Sequence, residues 1–127
     1  MKRIILTALL ACVSVSVAQA ACDTKSLKGS YQIAAVGMQN GYNCGLLGVV
    51  NFDGKGTMTG TSIAGCGALP QNGSDVSSYN INSNCMGSAT NSATGLNVYF
   101  VLNKALTVGS LFFSGNGNLY FGTLIKQ

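Results

Sequence analysis

The 127-residue chain has no histidine, no glutamate and no tryptophan, and only one proline. Without histidine or glutamate the usual general bases are missing, so a catalytic base has to be one of three aspartates, a lysine of depressed pKa or a tyrosine. With no histidine and no C-x-x-C pair there is no set of residues to complete a zinc site, so neither a metal nor a cofactor is implied. Charged residues make up 8% of the chain, too few and too scattered for a nucleic-acid footprint. No apolar run beyond residue 21 approaches the roughly 20 residues of a membrane helix, so no membrane span is expected in the mature chain. Helical periodicity is nearly absent as well, which leaves strands as the building material.

The first segment, MKRIILTALLACVSVSVAQA, has Lys2 and Arg3, an apolar stretch from Ile4 to about Val17, and Ala18-Gln19-Ala20 as a small-x-small cleavage site. This predicts a secretory signal peptide over residues 1–20, removed on export, and a single β-domain over 21–127 in the periplasm or outside the cell. The exported part carries five lysines and three aspartates. Asn, Ser, Thr and Gly do most of the solubilising, and so little charge hints at a homo-oligomer.

Period-two alternation recurs between turn signals. It predicts strands over about Ser30–Val36, Gly45–Phe52, Thr57–Ala64, Val76–Asn82, Met86–Thr90, Leu96–Leu102, Leu106–Ser114 and Leu119–Ile125. Asn40-Gly41 and Asp53-Gly54-Lys55-Gly56 mark hairpin turns, and Gly65 to Asp75, with Pro70 and Asn72-Gly73, reads as a loop. Seven or eight antiparallel strands in about 100 residues favour a small closed or nearly closed barrel, which also removes exposed edges.

Four cysteines remain beyond the leader: Cys22, Cys44, Cys66 and Cys85. They allow three pairings. If the second and third strands form a hairpin centred on Gly54 and Lys55, Cys44 and Cys66 lie at its open end. Antiparallel order sends Cys22 and Cys85 to the opposite pole. The predicted disulfides are therefore Cys44 with Cys66 and Cys22 with Cys85, as an oxidising compartment favours.

Asp53 and Asp75 sit beside glycine or serine in predicted turns and read as turn formers, while Asp23 lies in the polar lead. No serine occupies a G-x-S-x-G elbow, and no glycine-rich stretch leads into a helix as a phosphate loop requires. Aromatic residues recur at strand spacing. Most should be core and cross-strand pairs. The sharper expectation is that Tyr31, Phe52, Tyr79, Phe100, Phe112 and Phe121 line one end of the barrel and hold a small apolar ligand. The last three strands are apolar on both faces, so their outer face should be covered by the N-terminal segment, another sheet or a second subunit.

Leu27-Lys28-Gly29-Ser30-Tyr31, Gly48 through Gly56, and Ser78-Tyr79-Asn80-Ile81-Asn82 with Cys85-Met86-Gly87 resemble, in that order, the strand and hairpin motifs of small exported bacterial proteins with an allene-oxide-cyclase-like barrel. The resemblance implies an antiparallel calycin-type barrel. It does not carry the cyclase's activity, because none of the cyclase's catalytic residues has a counterpart here. Lipocalins fit less well, since their G-x-W signature needs a tryptophan.

The sequence thus points to an exported noncatalytic barrel that binds a small hydrophobic molecule or a protein partner. The alternatives are a lyase, isomerase or hydrolase using Tyr, Asn and Asp in the barrel mouth, and a cell-surface structural subunit.

Overall fold

Two Asn-Gly pairs make the tightest corners of the chain. Asn40 and Gly41 have φ of 50° and 84°, and Asn116 and Gly117 have 50° and 74°, the paired positive values that a two-residue hairpin loop needs to match the twist of its strands. The first corner joins β1 (Lys28–Gln39) to β2 (Tyr42–Asp53), and the second joins β7 (Val108–Gly115) to β8 (Asn118–Lys126). The two corners touch, Asn40 N–H donating to the Gly117 carbonyl at 3.0 Å. Between them run β3 (Thr57–Gly65), β4 (Gln71–Ile81), β5 (Met86–Asn91) and β6 (Leu96–Leu102).

The computed structural model describes residues 22–67 and 70–127, and among them all regular structure is strand. Every strand pairs with the next in antiparallel fashion, and β8 returns to β1 with Tyr31 opposite Lys126 and Gln39 opposite Asn118, closing an eight-stranded barrel. Closure satisfies every ladder and leaves no edge. The signal peptide predicted over residues 1–20 lies outside the described residues.

Both predicted disulfides are present. Cys44–Cys66 clamps the open end of the β2–β3 hairpin, and Cys22–Cys85 ties the segment before β1 to the start of β5 at the other pole. They close loops with sequence separations of 22 and 63. In the chain-entropy account such loops contribute about 3 and about 4 kcal/mol.

Two expectations are corrected. The stretch from Gly65 to Asp75 is not one loop: β4 begins at Gln71, and Asn72-Gly73 lies in register with Ile63 and Ser62 rather than in a turn. Leu106 does not start a strand; it sits at φ 55° in the β6–β7 connection, with 2% of its surface exposed.

Alternation sorts the walls. Inward positions carry Tyr31, Ile33, Val50, Phe52, Met58, Tyr79, Val98, Phe100, Leu111, Phe113, Tyr120 and Leu124, all buried. Among the described residues every charged side chain except Asp75 lies at the Cys22–Cys85 pole, in the lead, at a strand end or in a connection there. The outward wall positions between the two poles carry no charge at all.

Candidate functional site

The two ends of the barrel lumen are filled differently. At the Cys22–Cys85 pole, Phe52 is the hub of an aromatic cluster. Its ring lies 5.4 Å from Tyr31 and 4.9 Å from Tyr79, both edge-on, and 5.6 Å from Phe100. Edge-to-face contacts of this kind add to the burial that already holds the rings. The two tyrosine hydroxyls are spent on backbone. Tyr31 donates to the Leu106 carbonyl at 2.6 Å. Tyr79 Oη lies 2.7 Å from the Leu27 carbonyl and 3.1 Å from that of Thr24, and accepts from Gly54 N–H at 3.1 Å. Leu27 and Leu106 close this end from below, and burial raises both tyrosine pKa values above the ordinary phenol range. Asp53, by contrast, is a turn former as expected: its carboxylate accepts Lys55 N–H at 2.7 Å and Thr57 N–H at 2.9 Å, and these bonds hold its pKa below the usual range.

The Cys44–Cys66 end is hollow. A cavity of about 220 Å³ lies between Ile33, Leu46, Val50 and Phe113 on one side and Gly60, Ser62 and Asp75 on the other. Its cause is local. Asp75 pairs directly with Gly60, and Ser62 pairs with Gly73, so four neighbouring inward positions hold only small or short side chains. A second hollow of about 120 Å³ at the mouth shares Leu46 and Phe113 with the first and reaches Gln39, Asn118 and Tyr120.

Among the described residues Asp75 is the one charged side chain aimed into this lumen, which corrects its reading as a turn former. Ser77 Oγ donates to its Oδ2 at 3.0 Å, and the side-chain amide of buried Asn91 donates to its Oδ1. Asn91 is itself fixed, its Oδ1 accepting Ala93 N–H at 2.8 Å and Thr94 N–H at 3.1 Å. A carboxylate has about four acceptor positions, so two of Asp75's remain for a guest. Asn118 borders the mouth hollow, and its Oδ1 is buried with no partner. Both unfilled groups are acceptors in a setting that is mainly apolar, with the hydroxyls of Ser62 and Thr94 and the Gln39 amide among the other polar neighbours. This arrangement suits a guest with an apolar body and a donating head.

The six aromatic residues expected to line one end do not share a cavity. Tyr31, Phe52, Tyr79 and Phe100 pack together inside the closed pole. Phe112 and Phe121 face outward on β7 and β8, 5.0 Å apart, and Phe112 stacks on Tyr99 at 6.0 Å. Sequence reasoning missed Asp75, Asn91 and Asn118. For Asp75 a signal was present: Tyr79 and Ile81 point the same way, and the same parity carried back along the strand puts Ser77 and Asp75 inside as well.

No family model matches the sequence, and no curated protein matches it. Among solved structures, the chain is similar to a de novo designed fluorescence-activating β-barrel, with 12% identity over 79% of this chain and 93% of that one at a TM-score of 0.45.

Proposed function

We propose that this protein is an exported, noncatalytic barrel that binds a small, largely apolar molecule bearing one hydrogen-bond-donating group such as an amine. The observation that carries this reading is the hollow at the Cys44–Cys66 end, apolar on one side and presenting the unfilled acceptors of Asp75 on the other. A volume of about 220 Å³ equals the share of roughly seven liquid waters, enough for a single-ring compound. Export is supported by the leader-like first 20 residues and by two disulfides, which persist in oxidising compartments. The motif resemblance to small exported allene-oxide-cyclase-like proteins belongs to the same reading.

The test pairs native mass spectrometry of protein from an exporting host with thermal shifts induced by 2-phenylethylamine and by ethylbenzene. A co-purifying small molecule is expected. The amine should raise the melting temperature more than the hydrocarbon, and Asp75→Asn should abolish that difference. A ligand-free mass together with no shift from either compound overturns the reading.

A further inference from the structure

The outer wall is as two-sided as the lumen. Outward positions on β3, β4 and β5 are mostly hydroxyls and amides, among them Thr57, Thr59, Ser74, Ser78, Asn80 and Thr90. On β6, β7, β8, β1 and β2, continuing to Ile63 at the end of β3, they are mostly apolar. Val36 is 70% exposed, Leu47 65%, Phe121 57% and Tyr99 50%. Register makes these one surface: Tyr99 faces Phe112, Phe112 faces Phe121, Phe121 faces Val36, and Leu47 lies between Ala34 and Ile63. No described residue covers it.

We infer that this face binds a second copy of the chain. Three observations favour that occupant. The first is area: on β8, β1 and β2, adjacent strands that one partner can cover at once, Leu119, Phe121, Ile125, Val36, Met38 and Leu47 together expose on the order of 700 Å², more than the ~300–600 Å² of the largest patch on a typical monomer and close to the ~800 Å² each partner contributes to a standard interface.

The second is charge. A two-fold axis sets each patch against itself, so any charge near the axis meets its own copy. This face carries none, the lysines and aspartates having been gathered at the Cys22–Cys85 pole. A neutral apolar face is self-complementary by default.

The third is shape. A shallow hollow of about 560 Å³ is lined by Ala34, Gly45 and Leu47 and by the exposed pair Val36 and Phe121, which stands as a ridge along it. A two-fold axis between ridge and hollow lets each copy fill the other. Because the barrel has no edge, the copies meet face to face and not by adding a strand.

Sedimentation equilibrium of the disulfide-bonded protein over a micromolar dilution series tests this. A dimer is expected. Phe121→Lys and Val36→Lys, both at exposed positions, should each raise its dissociation constant at least about 100-fold, as like charges opposed across an interface do. Ser78→Lys, the same change on the hydroxyl-rich wall, should leave it unaltered. A wild-type monomer throughout the series overturns the inference, as does a dimer that survives both apolar-face variants. Flotation with phosphatidylcholine–phosphatidylglycerol vesicles adds a third outcome: a monomer captured by vesicles through Phe121 and Val36 overturns it in favour of a membrane.

Discussion

The two poles of this barrel are built from the same alternating strands, yet one is solid and the other hollow. At the Cys22–Cys85 pole the inward positions hold four aromatic rings, and Leu27 and Leu106 seal the end. At the Cys44–Cys66 pole Gly60, Gly73, Ser62 and Asp75 occupy corresponding positions on β3 and β4, and no ring reaches across to fill the space. Closing the barrel fixes its diameter, so side-chain volume alone decides whether an end is core or cavity. Packed core and open cavity thereby fall at opposite ends of one lumen, with a disulfide at each.

Four substitutions break or sharpen this contrast. Phe52→Ala removes the hub of the solid pole and should cost about 3–5 kcal/mol, whereas Leu46→Ala beside the existing void should cost no more than about 2 kcal/mol. Urea unfolding of the two variants reads the difference, and equal losses would mean that the poles are packed alike.

Tyr31→Phe leaves the buried Leu106 carbonyl without its donor and should cost about 1–3 kcal/mol. The same tyrosines set the alkaline limit. Burial raises the folded-state pKa of Tyr31, Tyr79 and Tyr120. Their contribution is therefore complete below the ordinary tyrosine value of about 10 and is lost as pH rises through that value toward the raised ones. Melting temperature should fall over this alkaline range, and less steeply in Tyr31→Phe. On the acid side the sign reverses: Asp53, whose pKa is lowered by the backbone donors of its turn, contributes above the ordinary aspartate range and loses that contribution as pH falls through the lowered value.

The smallest effect belongs to the hollow end. A methyl on Gly60 would point into the lumen, 3.2 Å from a Val50 methyl carbon, so Gly60→Ala needs only a slight adjustment of a side chain that already borders the void. Less than about 1 kcal/mol of change in stability is expected, with the strand's gain from losing a glycine offsetting the close contact. Binding of 2-phenylethylamine should weaken more than stability changes. Comparing titration calorimetry with the melting curve of the same variant checks this.

Much of the architecture was legible because it is written in local rules. The Asn-Gly corners, the period-two strands and the Asp53 turn each follow from a few neighbouring residues, and antiparallel order then left one sensible pairing for four cysteines. The segment from Gln71 to Asp75 was not legible. Its outward side chains are polar and its inward positions are Gln71, Gly73 and Asp75, so it carries no hydrophobic alternation to announce a strand. The aromatic positions failed in another way: Phe112 and Phe121 have the same local appearance as Phe100, and only parity relative to the closed barrel separates lumen from outer wall.

By itself, then, the sequence determined the strand class, the two disulfides and the poverty of acid–base groups, since these depend on composition and near-neighbour spacing. The tertiary structure decided which side of each strand faces the lumen, that β8 meets β1, that Asp75 points into a cavity instead of capping a turn, and that charge collects at one pole and apolar surface along one wall. Each of those is a relation between residues far apart in the chain, brought about by closure of the sheet on itself.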